Sequence, residues 1–196
     1  MMAAVAVFAS TAGEGEGGAE RLQVNTSSTT INWVGEKVTG SHQGTLKLKS
    51  GTVSVVDGVI DAANVVIDMT TIVCTDEGMD AETKGKLVGH LQSPDFFNVG
   101  EHKTAQFVLS SFKPMKGENG ANYMVTGKLT IKGISQEISF PAKVTISAGK
   151  VVAEAAFEID RTKWDIRYGS GSFFDGLGDK VIYDDMKISF KLVANA

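Results

Sequence analysis

The sequence predicts an all-β, antiparallel protein of about eight strands, interrupted once by a short helical insertion near residues 80–98. Three observations carry this. From about residue 22 onward, apolar and polar residues alternate with period two, the pattern of strands with one buried face. Gly is abundant at 22 and Pro scarce at 3, with Val, Ile, Thr and Ser plentiful, which favours strands joined by glycine turns. One apolar and one polar face per strand suits antiparallel pairing around a single interior. A closed barrel and a two-sheet sandwich both satisfy these constraints.

The strands follow in order. In STTINWVGEKV, Ile31 and Trp33 share a face, with Thr30 and Asn32 opposite. TLKLKSG sets Leu46 and Leu48 against Lys47 and Lys49. NVVIDMT aligns Val65, Ile67 and Met69, and AQFVLSSF aligns Phe107 and Leu109. YMVTGKLTI aligns Tyr123, Val125, Gly127, Leu129 and Ile131. EISFPAKVTI aligns Ile138, Phe140, Ala142, Val144 and Ile146. VVAEAAFEI aligns Val151, Ala153, Ala155, Phe157 and Ile159. The last strand, IYDDMKISFKLV, aligns Ile182, Met186, Ile188, Phe190 and Leu192. Turn signals separate them: Asp-Gly at 57–58, Lys-Gly at 132–133 and Ala-Gly-Lys at 148–150. The small inward residues Gly127, Ala142, Ala153 and Ala155 fit either unfilled interior volume or a packed taper of alternating small and large side chains.

The insertion has its own logic. Asp80 is placed to cap a helix, and Glu82 sits in the first turn, where carboxylates are favoured. Lys84, Lys86 and His90 follow toward the C-terminal end. Thr83, Leu87 and Leu91 fall on one face, and so do Gly85 and Gly89. That glycine pair implies close approach to another backbone or a marginal helix. Ser93-Pro94-Asp95 repeats a helix-start signal, and Phe96-Phe97 follows. An apolar stripe ending in two phenylalanines must dock on something apolar, and the open end of a barrel is the obvious place. It acts there as a plug or as a lid.

Composition bounds the function. The 196 residues suffice for one domain with a sizeable core, and a net charge of −4 without a Lys/Arg run argues against nucleic acid and anionic membrane surfaces. No apolar run approaches the ~20 residues of a membrane-spanning helix. The single cysteine, Cys74, reads as a small buried hydrophobe and excludes an intrachain disulfide. MMAAVAVFAS resembles the end of a secretory leader, with Val7-Phe8-Ala9 near a small-x-small pattern but no basic residue ahead of it. The expectation is a truncated leader and Gly/Glu linker over 1–20, disordered, and a barrel domain over 21–196.

Catalytic signatures are missing. There is no Gly-x-Ser-x-Gly elbow and no phosphate-binding glycine loop. Asp184 and Asp185 are strand neighbours and point to opposite faces. His42, His90 and His102 lack ligand spacing, so neither a metal nor a catalytic site is expected. Exposed strand edges leave room for a homodimer, and no patch demands one.

Several segments, taken in order, resemble the YceI-like family. They are Trp33-Val34-Gly35-Glu36-Lys37 with Gly40-Ser41-His42-Gln43-Gly44, then His90-Leu91, Asp95-Phe96-Phe97 and Thr104-Ala105-Gln106-Phe107. Gly127 to Gly133, Arg161-Thr162-Lys163-Trp164, Gly178-Asp179 and Val181 complete the series, which spans about 29–193. Glu101-His102-Lys103 departs from the family's habit of a proline before the strand entered at Thr104, which implies a local loop difference. The resemblance implies an extended, eight-stranded, lipocalin-like antiparallel barrel, exported to the periplasm or secreted. It implies binding of a long apolar ligand, polyisoprenoids foremost and fatty-acid-like amides in some members, without catalysis. The expectation for this chain is a polyisoprenoid or isoprenoid quinone, with no cofactor beyond that lipid. The alternative is an envelope interaction or stress-response module with a filled, ligand-free barrel. For a haem-linked relative no axial ligand pair is present.

Under this reading the tunnel wall is Trp33, Val65, Ile67, Phe107, Leu129, Phe140, Phe157, Met186 and Ile188. Phe96 and Phe97 close one end, and Phe173-Phe174 of the glycine-rich loop 168–178 form a second gate. The head-group candidates are His90 and Arg161. His90 could instead cap its helix, and Arg161 could instead pair with Asp179 or Asp185 to pin the barrel end.

Overall fold

The computed structural model describes residues 18–196. The leader reading for the first residues lies outside them, apart from the end of the linker. Nine strands form one sheet: β1 (Glu20–Val24), β2 (Thr30–Lys37), β3 (Gly40–Val56), β4 (Val59–Cys74), β5 (Thr104–Pro114), β6 (Tyr123–Ile131), β7 (Ile134–Ser147), β8 (Lys150–Asp160) and β9 (Ile182–Asn195). The helix α1 (Ala81–Gln92) lies between β4 and β5.

Consecutive strands from β2 to β9 pair antiparallel, and β9 pairs back onto β2, so the meander closes into an eight-position barrel. The sandwich alternative is thereby excluded. Pairing is partial in places: β4 meets β5 only over Asn64–Asp68, and β7 meets β8 only from Ala142 onward. The ninth strand is short and was not expected. β1 pairs with the far half of β3, Glu20 opposite Val55, and with the end of β9, Val24 opposite Ala194. It continues the position that β2 holds nearer the other end. The turn joining them is tied by Asn25 Oδ1, which accepts the N–H groups of Ser27 and Ser28 at 3.1 and 3.0 Å.

The hairpin turns form where the sequence placed them. Asp57-Gly58 and Lys132-Gly133 both carry two successive positive φ angles, 50° and 77°, and 50° and 72°, the mirror-image turn that matches strand twist. In β7 the alternation is plain, with Phe140, Ala142 and Val144 buried and Pro141 and Lys143 exposed.

One barrel end carries the β1 strand. There Leu22, Val53, Val55, Val151 and Ala194 are buried, and Leu22 and Ala194 have no exposure at all. The other end carries α1, the turns over 93–103 and the long connection from Arg161 to Val181. Asp80 caps α1 by accepting the Thr83 N–H at 2.9 Å, as its position predicts. Ser93 does not restart a helix. It closes the first one, donating its N–H and hydroxyl to the His90 carbonyl at 3.1 and 2.7 Å. Phe96 and Phe97 then fold under in turns, the Phe97 N–H reaching the Leu91 carbonyl at 3.0 Å.

Candidate ligand cavity

Within the barrel is a cavity of about 260 Å³. Its wall is built from the inward set of every barrel position. Trp33, Val65, Ile67, Phe107 and Leu129 line it, as do Phe140, Phe157, Met186 and Ile188. Phe96 and Phe97, both buried, face it from below α1. The aromatic rings form a connected cluster: Phe140 stacks on Phe157 at 4.2 Å between centroids, and Phe107 and Phe190 approach Phe140 at 5.8 and 6.1 Å.

Two glycines make room for aromatic wall panels. A Cβ at Gly44 would lie 1.8 Å from the Val73 carbonyl oxygen and 2.5 Å from the Trp33 ring. At Gly127 it would lie 2.4 Å from the Phe107 ring. Each ring therefore lies flat across its neighbour strand, where any other residue would displace it. The Trp33 indole N–H is buried without a hydrogen-bond partner among the described residues.

Polar groups enter the wall mainly at the helix end: Glu36, Lys37, His42, His90, Arg161 and Tyr183. Arg161 is fully buried and heavily committed. Nε donates to the Tyr183 carbonyl at 3.1 Å, one terminal nitrogen to Ile166 at 2.8 Å, and the other to Ile182 at 3.0 Å and Asp184 at 3.3 Å. Burial pulls the guanidinium pKa down while Asp184 and Asp160 push it back, and the group stays charged. The carboxylate partner is thus Asp184 and not Asp179 or Asp185. With its donors spent on the fold, Arg161 pins the connection 161–184 and touches Phe96 face-on at 5.6 Å. The His90 ring does not cap its helix. It sits edge-on between Phe96 at 5.5 Å and Tyr168 at 4.4 Å.

Phe173 and Phe174 are not in the wall. Both are about half exposed, at 46% and 50%, on the outside of the 168–178 loop. Their N–H groups both bond the carbonyl of buried Ser170, which turns the pair outward. Gly85 and Gly89 have no neighbour within 4 Å, so the close-approach reading of that stripe does not hold.

One polar pair was not anticipated. His42 Nδ1 lies 2.7 Å from Asp76 Oδ2, and the other carboxylate oxygen accepts the Gln43 N–H at 2.8 Å. Burial alone would raise the Asp76 pKa. Hydrogen bonds from His42, the Gln43 amide and Cys74 outweigh it and hold the carboxyl below the usual aspartate value. Cys74 is half-buried, which departs from the buried core residue expected.

A YceI-like domain model matches residues 22–194, almost the whole described chain. The chain belongs to the YceI-like family. UPF0312 proteins of Pseudomonas paraeruginosa and Serratia proteamaculans are 38% and 36% identical over 55 residues, and the match spans 28% of this chain and 27% of each relative. Among solved structures, Burkholderia cenocepacia BcnA superposes with a TM-score of 0.67 at 23% identity, covering 88% of this chain and 99% of that one. A polyisoprenoid binding domain from Saccharophagus degradans, implicated in plant cell wall breakdown, gives 0.61 at 16% identity over 89% and 98%. These likenesses establish the YceI-like barrel. The cavity described above occupies the interior of that barrel.

Proposed function

We propose that this chain is an exported lipid-binding protein that holds or carries a long apolar ligand of the polyisoprenoid or isoprenoid-quinone type, and that it is not an enzyme. The observation that carries the reading is the cavity wall, apolar along its length and polar at one end. Such a wall gains affinity only by taking apolar area out of water, about 25 cal/mol per Å². For a five-carbon isoprene unit that is on the order of 3 kcal/mol before the cost of ordering the chain. A filled, ligand-free barrel is disfavoured by the same cavity. The polyisoprenoid-binding relative from Saccharophagus degradans supports the ligand class. Membership of the YceI-like family supports export to the periplasm or cell surface. Membership of the YceI-like family, with a polyisoprenoid binding domain among its structural neighbours, supports binding over catalysis.

The test is native mass spectrometry of the protein purified from its own source, with organic extraction of anything bound. A stoichiometric lipid adduct is expected, and its mass names the class. Protein that is clean, and still empty after incubation with polyprenyl and quinone lipids, overturns the reading.

A further inference from the structure

Most of the polar groups at the helix end of the cavity are already committed. Arg161 spends its donors on three carbonyls and Asp184. Glu36 accepts from Lys187 at 2.8 Å. The His90 ring is wedged between Phe96 and Tyr168. His42 is different. Its Nδ1 is held by Asp76, the side chains are 28% and 14% exposed, and its ring lines the cavity. Nε2 has no hydrogen-bond partner among the described residues. An ionised Asp76 fixes the proton of a neutral imidazole on Nδ1 and leaves Nε2 as a bare, oriented acceptor.

The charges around it decide what it accepts. Lys187 is paired with Glu36 and Arg161 with Asp184. Lys37 alone among these cations has no ion-pair partner among the described residues. A multiply charged diphosphate would meet one cation and the carboxylates of Asp76 and Glu36. An uncharged hydroxyl meets no such opposition and supplies the O–H that Nε2 lacks.

We infer that the His42–Asp76 pair is the head-group site of this cavity and that it takes an uncharged hydroxyl: the alcohol of a long-chain isoprenoid or the phenol of a reduced quinone. This rests on the apolar-ligand reading above and specifies its polar end. The experiment measures affinities of the delipidated full chain for four probes: geranylgeraniol, geranylgeranyl diphosphate, the hydrocarbon phytane, and reduced short-chain ubiquinone. Each is repeated with His42→Phe, His42→Gln and Asp76→Asn. The alcohol or the quinol should bind more tightly than both the hydrocarbon and the diphosphate. His42→Phe should erase about tenfold of that preference, the value of one good hydrogen bond, read as the ratio of hydroxyl-probe to phytane affinity in the same variant. His42→Gln, which keeps an acceptor, should restore part of it, and Asp76→Asn should lose part. Whichever hydroxyl probe depends more on His42 identifies the source. Tighter binding of the diphosphate overturns the inference, and so does an equal effect of His42→Phe on all probes. If phytane binds and the hydroxyl adds nothing, the head-group site fails while the apolar cavity stands. If no probe binds the unaltered chain, both fall.

Discussion

At the end of the barrel that carries β1, closure is chiefly a matter of apolar contact. Leu22, Val53, Val55, Val151 and Ala194 fill the space that strand convergence leaves, and none of them borders the cavity except Val53 and Val151. At the helix end the same task falls to a buried cation and a set of carbonyls. Arg161, Trp164 and Ile166 have no exposure, yet Arg161 and Trp164 are held by directed bonds, the Trp164 indole donating to the Leu129 carbonyl at 3.0 Å. Contact without direction makes a permanent stopper. Directed bonds at the rim of a hollow allow a cover of loops and one helix to be positioned without filling the interior. The difference teaches how one barrel holds a sealed end and a hollow one.

The comparison can be broken most severely at Arg161. Arg161→Ala leaves three carbonyls and Asp184 without their shared donor, and it should cost about 3–5 kcal/mol, read as loss of stability in denaturant unfolding. Arg161→Lys should rescue little, because one ammonium cannot reproduce the planar fork. At the sealed end Leu22→Ala should cost about 3 kcal/mol through the cavity it leaves. It should leave ligand affinity unchanged, whereas a loosened helix end should release ligand faster. If Leu22→Ala speeds release as much as Arg161→Ala does, the two ends are not functionally distinct.

Smaller effects sharpen the contrast. Gly85 and Gly89 are exposed, with open space around each, so Gly85→Ala and Gly89→Ala should each stabilise α1 by up to about 1 kcal/mol. A stiffer cover should slow ligand release, measured by dilution of a labelled lipid. Acid should also act on this end. The Asp76 carboxyl is depressed in the folded chain, so its stabilising contribution is complete above the ordinary aspartate pKa and is lost as pH falls through the lower folded value. Asp76→Asn should flatten that acid limb of a stability-against-pH curve.

Most of the barrel was legible because period two is a local signal, and the cavity wall followed from it by stacking inward residues. What was hidden depended on pairing register or on how a loop turns. β1 offers only Leu22 and Val24 as apolar markers, too few to stand out beside a Gly/Glu-rich run. His42 and Asp76 meet because β3 and β4 bring Gly44 opposite Cys74, and the Thr75 N–H then bonds the Gln43 carbonyl at 2.9 Å. Arg161 chose Asp184 over its neighbour Asp185 according to the phase in which β9 begins, which composition does not encode.

The two Phe-Phe pairs make the same point and yield the smallest prediction. Phe96-Phe97 and Phe173-Phe174 look alike in sequence, and both were expected to close the tunnel. The first pair is drawn inward by the Leu91 and Ser93 carbonyls and is buried. The second hangs from the Ser170 carbonyl on the outer side of its loop, with Arg167 stacked over Phe173 at 4.6 Å. Phe96→Ala should therefore weaken ligand binding and stability together. Phe173→Ser with Phe174→Ser should leave equilibrium affinity within about twofold and change stability by less than about 0.5 kcal/mol, as exposed substitutions do. A large loss of affinity in the double variant would mean that the 168–178 loop folds over the cavity when ligand is present, and the rim would then be a gate made of both pairs.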